Sequence, residues 1–580
     1  MFALFIQIAF NIITDVRDRN GGDIIGKKLN LQWVSDTIGE TYKKWKRGDI
    51  VTIQAQTGTG KTEFIKQKII DNMECYETML YVCNRTNLKR QFKKDLLIKY
   101  NKPVPKIKDT DDIDIEILDK ITKIGNIIIT SYHAIQDTLL KQEYAEGICD
   151  LSQFNYIILD EVHFLFADAG FNNRCRFVYQ EFIENYHHNA IQIFISATME
   201  EVIPVIEANV KRFKFSKPNV RHYTTGIDYS YLNVRYLDNN LDDIVNMIKN
   251  DESDEKWLIF VTQKADAKYI SENVGKDKSS IIISGTKSKE LDNIINNSCF
   301  ENKTLLCTKA MDNGINIKSD KLTNIIIMAW DRITFLQELG RKRIDIQDAQ
   351  TINLYIPMRY KKSFRSKINN CQKFFNIIDL LQKDENEFNK AYDNNLKNVA
   401  ELNNLIYRDQ VTGKWTVNDI GYARLIKDNA FYVFMVEKFD KEDEFAFIRQ
   451  QLEWMGLQHT FNESNLIKDV MSIEEKETLE SYLESMLGKV MLQAKDRKEL
   501  IEKIGLVDPH NSSTKKGNVV YLKNRDTLNN YLEKEIKSNF YIKQFSTTKK
   551  VDSVKKTYKQ AWKVMLLTDK KSKKKSKKIS

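Results

Sequence analysis

The chain has 580 residues, too many for one ordinary hydrophobic core, so several domains are expected. Its hydrophobic fraction of 42% beside 29% charged residues excludes a disordered or fibrous chain. The formal net charge of +10 argues for an anionic polymer partner only until it is located, because Lys570 to Ser580 holds seven of the lysines and the rest of the chain is close to neutral.

The opening stretch MFALFIQIAFNII is apolar, but it lacks a basic start and a small-residue cleavage site, and Asp15 and Arg17 end it too early to span a bilayer. It reads as a packing element within an N-terminal segment, residues 1–44, with no membrane partner. The seven cysteines are scattered, with no CxxC pair and no histidine at zinc spacing. That pattern points to reduced thiols and a cytoplasmic setting.

Lys46 to Asp49 reads as a turn and Ile50 to Gln54 as a short β-branched strand, while Phe64, Ile65, Ile69, Ile70 and Met73 recur at helical spacing. Between strand and helix lies AQTGTGKT, Ala55 to Thr62. Backbone N–H groups of Gly58, Thr59 and Gly60 at a helix N-terminus favour phosphate oxygens. Thr57 to Thr62 is therefore the ATP-binding loop, in which Lys61 supplies a point charge to the phosphates and the Thr62 hydroxyl a ligand for Mg²⁺. The first glycine of the usual GxxxxGK[ST] pattern is Ala55 here. Farther on, NYIILDEVH (Asn155 to His163) is an apolar strand ending in two carboxylates. Asp160 is the expected magnesium ligand and Glu161 the base that orients the attacking water.

With these motifs in place the chain resembles a superfamily 2 helicase of the DExH type. That resemblance supplies further expectations in chain order. Tyr81 to Gln91 looks like a motif in which an arginine, here Arg85, touches the nucleic-acid backbone, and Ile128 to His133 is similar to another backbone-contacting loop, with Ser131 and Tyr132. Ser196-Ala-Thr198 matches the motif that couples hydrolysis to movement, together with His163. Trp257 to Thr262, Leu305 to Ile317 and Gln337 to Arg343 resemble motifs four, five and six. They bring Thr262 and Thr308 to the strand, and Gln337, Arg341 and Arg343 to the nucleotide.

Two positions depart from the family pattern. Lys309 stands where motif five has an acid, with Asp312 the nearest one, and Arg343 falls one place early, with Ile344 in the expected position. Either Arg341 or Arg343 is then the arginine finger. Gln32 lies too far upstream of the phosphate loop for the glutamine motif of DEAD-box relatives, and it reads as a surface or core residue.

The resemblance implies an α/β fold of two tandem RecA-like P-loop lobes with parallel sheets, residues 45–218 and 219–360, with ATP and Mg²⁺ between them. Nucleic acid, DNA or RNA, would be held mostly by its backbone. Beyond it, residues 361–506 read as an α-rich accessory region: a charged helix over Asn369 to Asn403, a hairpin around Thr412-Gly413, a helix within Asp443 to Gly456, and an apolar helical stripe from Leu479 to Met491. Residues 507–568 form a small basic and aromatic domain, and 569–580 a disordered polylysine tail. The C-terminal third would choose the substrate or a protein partner. The function expected is an ATP-dependent helicase or translocase. The alternatives are a non-translocating ATPase switch and a nucleic-acid-binding scaffold with a weakened motor.

Overall fold

The structure, a computed structural model, describes residues 27–83, 86–108, 113–143, 150–169, 172–212, 218–283, 289–308, 316–393, 395–409, 412–468, 470–471, 473–507, 520–551 and 554–567. The apolar start 1–26, Arg85, Lys309, Asp312 and the polylysine end 568–580 lie outside them. Among the described residues no helix is long and apolar enough to cross a membrane, and no cysteine forms a disulfide.

The contacts divide the chain into two units. The first, residues 1–236, 255–267 and 277–465, contains two α/β lobes and the helices that follow them. Lobe one is built on β1 (Ile50–Gln54), β2 (Met79–Cys83), β3 (Lys123–Ile124), β4 (Ile127–Ser131), β5 (Tyr156–Asp160), β6 (Ile191–Ser196) and β7 (Val220–Thr224), in the spatial order β3-β4-β2-β5-β6-β1-β7. All its pairings are parallel except β3 with β4. A parallel sheet is covered on both faces, so its strands run almost continuously apolar. Here Val51, Ile53, Met79, Tyr81 and Ile158 pack on one side, and Leu80, Val82, Ile157, Leu159 and Phe194 on the other.

Lobe two uses β8 (Leu232–Leu237), β9 (Lys256–Phe260), β10 (Ser279–Ile282), β11 (Thr304–Cys307), β12 (Leu322–Ile327) and β13 (Ile352–Pro357). Its order is β10-β11-β9-β12-β13-β8. The pairs among β9 to β13 are parallel. This is the expected pair of parallel-sheet lobes.

Two expected boundaries move. β7 pairs with β1, so lobe one runs past 218 and the linker to lobe two is the stretch 225–231. Val34, Ile38 and Tyr42 enter the lobe-one core, so residues from Trp33 onward belong to that lobe and are no separate segment. Just before them, the Leu29 amide donates to the Ile346 carbonyl of lobe two at 2.9 Å.

The accessory helices Lys361–Lys383 and Asp419–Lys441 pack side by side in the first unit, with Phe364 among Trp330, Phe431, Phe439 and Phe447. Gly421 lies so close to lobe one that a Cβ would sit 2.7 Å from the Ala169 carbonyl. One turn on, Arg424 joins Glu201 of lobe one at 3.7 Å and Asp331 of lobe two at 3.8 Å, while Asp428 of its own helix holds it at 2.8 Å. The expected hairpin is present as Ile406–Arg408 against Trp415–Val417.

The second unit comprises 237–254, 268–276 and 466–580. The helix Leu241–Lys249 belongs to it: the Asn246 amide donates to the Val470 carbonyl at 2.7 Å, and Asp243 accepts from the Val470 amide at 2.8 Å. Its core joins Leu479, Leu483, Leu500 and Ile504 to Leu528, Leu532, Trp562 and Val564. The boundary expected at 506/507 therefore cuts through one core. The apolar stripe from Leu479 is also not one helix. The helix Ile473–Ser485 stops before Gly488, whose φ of +79° is left-handed, and Val490–Met491 is a strand beside the long hairpin Phe540–Val551 and Val554–Leu566.

Candidate nucleotide site

In a parallel sheet the chemistry gathers at the carboxyl ends of the strands. The registers Gln54↔Ser196, Asp160↔Ile195 and Cys83↔Asp160 bring the ends of β1, β2, β5 and β6 level. From Gln54 the chain turns through Ala55–Gly60 into the helical segment Lys61–Asn72. Gly58 and Gly60 have φ of +92° and +83°, a conformation side chains disfavour. Side chains would be crowded there as well. A Cβ on Gly60 would meet Trp33 at 3.2 Å, and one on Gly58 the Ile344 carbonyl at 3.3 Å.

The loop is held from several sides. The Thr59 hydroxyl donates to the Gln56 carbonyl at 2.7 Å, and the Val34 amide donates to the Thr59 carbonyl at 2.9 Å. The Gln56 side chain exchanges two hydrogen bonds of 2.9 Å with the backbone of Asp228 in the interlobe linker. A glycine cradle at a helix start, with a lysine and a threonine next in line, fits a triphosphate. Mg²⁺ is usually held by one or two protein oxygens plus substrate phosphates, and Thr62 with Asp160 offers that donor set.

The carboxylates stand opposite. Asp160 and Glu161 are buried at 5% and 7% exposure. The Tyr81 hydroxyl donates to Asp160 Oδ2 at 2.7 Å and the Tyr132 hydroxyl to the Asp160 carbonyl at 3.1 Å. Burial, with the Asp160 charge adding to it, pushes both phenols well above their ordinary range, so they remain donors. Glu161 adopts φ of +57°, strained for a residue with a side chain and characteristic of functional sites. Its Oε1 lies 3.3 Å from Lys61 Nζ and its Oε2 3.3 Å from His163 Nδ1. His163 Nδ1 is in turn 2.8 Å from Ser196 Oγ, which accepts from the Thr198 amide at 3.0 Å. A polar chain thus runs from Lys61 through Glu161 and His163 to Ser196 and Thr198. It joins the end of β1 to the ends of β5 and β6.

Lobe two reaches this site through one segment. Asp331 caps the helix Arg332–Leu339 by accepting from the Thr334 amide at 3.0 Å. At its end comes Gly340, where a Cβ would be 2.5 Å from Thr57 Oγ1. Motif six therefore lies directly on the phosphate loop. Gln337 and Arg341 are buried, Arg341 to 1% exposure, and Arg343 is half-buried. The Ile317 amide donates to the Arg341 carbonyl and the Arg343 amide to the Ile317 carbonyl, both at 2.8 Å, which ties the end of motif five to motif six. Glu200, just past Thr198, takes a 2.8 Å bond from Gln54 and a 2.7 Å ion pair from Arg332.

The expected strand contacts fare less evenly. Tyr132 is fully buried, its ring stacked on Phe164 and its hydroxyl given to Asp160, so it supports the carboxylate strand and cannot face a nucleic acid. The sequence could not separate these roles, since a tyrosine after a strand serves either. Ser131 caps the following helix by accepting from the Ala134 amide at 3.2 Å. Thr262 is exposed beyond β9, and Thr308 is half-buried, its amide donating to Ile282 at 3.3 Å. Gln32 is exposed and accepts from Thr37 at 3.2 Å. Trp33, Gln56, Tyr81, Glu200 and Gly340 were given no role from sequence; Gln56, Tyr81 and Gly340 lie inside motifs read there, while Trp33 and Glu200 do not.

Residues 37–204 match the family model described as DEAD/DEAH box helicase, and residues 239–344 match that of the helicase conserved C-terminal domain. Together they span just under half of the chain. No curated protein matches the sequence. Solved structures with similarity include S. cerevisiae Dbp5 bound to RNA and ADP BeF3, with 16% identity, a TM-score of 0.40, and coverage of 55% of this chain and 81% of that one. Mycobacterium smegmatis helicase Lhr bound to ssDNA and AMP-PNP shares 14% identity at a TM-score of 0.39, over 68% of this chain and 59% of that one. The DUF1998 helicase MrfA bound to DNA shares 15% at 0.39, over 71% and 61%.

Proposed function

This chain belongs to the superfamily 2 helicases, and on that premise we propose that it is a nucleic-acid-stimulated ATPase that converts hydrolysis between its two lobes into movement along a strand. The observation that carries this reading is the polar chain Lys61–Glu161–His163–Ser196, lying under a motif-six glycine that touches the phosphate loop. Thr57, Gly58, Thr59, Gly60 and Lys61 would hold the phosphates, and Thr62 and Asp160 would hold Mg²⁺. The metal would neutralise charge on the phosphates. Glu161 takes the proton of the attacking water, and either Arg341 or Arg343 meets the charge that develops on the transferred group.

His163 reports the state of Glu161 to Ser196 and Thr198, whose strand end is bonded through the Ala55 amide to the start of the phosphate loop at 3.0 Å. Glu200, beside them, holds Arg332 of lobe two, so a change at the carboxylates reaches the interlobe contact. Arg85, Ser131, Thr262 and Thr308 contact the strand through its backbone, which makes the grip largely independent of sequence and sensitive to salt. Arg343, one place early, favours a second reading: a slower ATPase that switches without travelling.

The two are separated by timing arrival at a fluorophore on the strand end. Translocation gives a lag that grows in proportion to strand length. A lag independent of length rejects travel and leaves the switch.

A further inference from the structure

The hairpin of the second unit has two halves of different character. Near its base Phe540, Ile542, Trp562 and Val564 enter the core. A register shift between Phe545 and Thr547 separates that base from the outer half, in which Thr547, Thr548, Lys549 and Lys550 pair with Tyr558, Thr557, Lys556 and Lys555. Cross-strand partners share a face of a ribbon. Lys549 and Lys556 therefore lie together on one face, and Lys550 and Lys555 on the other. All four are exposed, and the described residues of the hairpin, Phe540–Val551 and Val554–Leu566, contain no acid. Like charges placed directly opposite destabilise a sheet, and a two-stranded ribbon is marginal in water. Both faces of a free-standing ribbon carry that cost here, which is understandable if an anion meets each face.

We propose that the outer half of this ribbon enters a groove of duplex DNA and is gripped from both sides by its phosphate walls. The proposal rests on the helicase reading above and extends it, by giving the second unit the duplex while the lobes hold the strand. A single strand presents one row of phosphates, and a flat acidic surface one face. A groove presents two, and the major groove of B-form DNA admits a two-stranded ribbon. The neighbouring helical segment Arg525–Glu535 exposes three acids, Asp526, Glu533 and Glu535, and the base Lys534, so it is the ribbon and not that helix that suits phosphate.

The test uses the full chain, a fluorescent DNA duplex with a single-stranded tail, and the tail alone. The variant K549Q/K550Q/K555Q/K556Q is compared with wild type and with the four-arginine variant. The glutamine variant is expected to bind the tailed duplex at least about tenfold more weakly near 100 mM salt, with the salt slope reduced by about 3 to 4, as four lost phosphate contacts require. Arginine restores both. Binding to the tail alone and turnover at saturating single strand stay within about twofold. Unchanged affinity and slope on the tailed duplex overturn the proposal, and so does an equal loss on the tail alone. The melting curve of each variant shows whether the unit still folds. If wild type lacks strand-stimulated turnover, the motor reading falls, while selective loss of duplex binding in the variant still upholds the ribbon.

Discussion

The two lobes share a parallel sheet and differ in what stands at its carboxyl edge. In lobe one the edge carries the glycine loop, Asp160 and a polar chain from Lys61 through a strained Glu161 and His163 to Ser196. In lobe two the strands β9 and β11 end in Phe260 and Cys307, and the residue that meets the glycine loop, Gly340, lies just after the helix Arg332–Leu339. On the proposed reading one lobe would supply the chemistry and the other would close over it. Neither would be complete alone, which is how the proposed hydrolysis would depend on the distance between them.

The sharpest way to break this contrast is at the arginines. Replacing the true finger by alanine is expected to lower turnover by about 10³ to 10⁵ with ATP binding kept. Single-turnover hydrolysis by Arg341→Ala and Arg343→Ala will show which one it is. If both remain near wild type, lobe two contributes no catalytic charge. On the other edge, Glu161→Gln should cost about 10² to 10⁴ in turnover while nucleotide still binds, as read by fluorescent ATP titration. Gly340→Val tests the contact itself. Its side chain would collide with Thr57, so turnover should fall by about 10²-fold, the usual cost of misplacement by an ångström, with lobe one folded and ATP still bound. Wild-type turnover there would mean that the lobes do not need this approach.

The smallest effect concerns lobe one alone. Lys93 is buried at 1% exposure, donates to the carbonyls of Leu118 and Asp119 at 3.0 Å, and is pushed down by burial from its ordinary 10.5 to about 8. Between about pH 8 and 10.5 the unfolded chain binds more protons at this site than the folded one, so stability should rise with pH in that window. The stability difference between wild type and Lys93→Met should therefore shift across it by up to about 3 kcal/mol, read from denaturant melts. A difference flat with pH would show that Lys93 titrates normally.

Much of the two-lobe fold and of the loop and carboxylate motifs was legible because their signals are local. AQTGTGKT between a strand and a helix, and YIILDEVH, state their own secondary structure and their own chemistry. What stayed hidden depends on residues far apart in sequence. Nothing in a lone Gln56 announces that it will bond the linker at Asp228, and nothing near Tyr132 says that it will be spent on the Asp160 carbonyl. The second unit was misdivided for the same reason. Leu479 and Trp562 share a core across a stretch that reads as a break, and Gly488 interrupts a stripe whose apolar residues alone suggested one helix.

The measurement closest to the central claim is ATP turnover without a strand, with single-stranded DNA and with single-stranded RNA, each beside Glu161→Gln. Stimulation by at least one polymer, abolished in Glu161→Gln, is the expected result. Turnover equal to the Glu161→Gln background under all three conditions would contradict a nucleic-acid-stimulated motor.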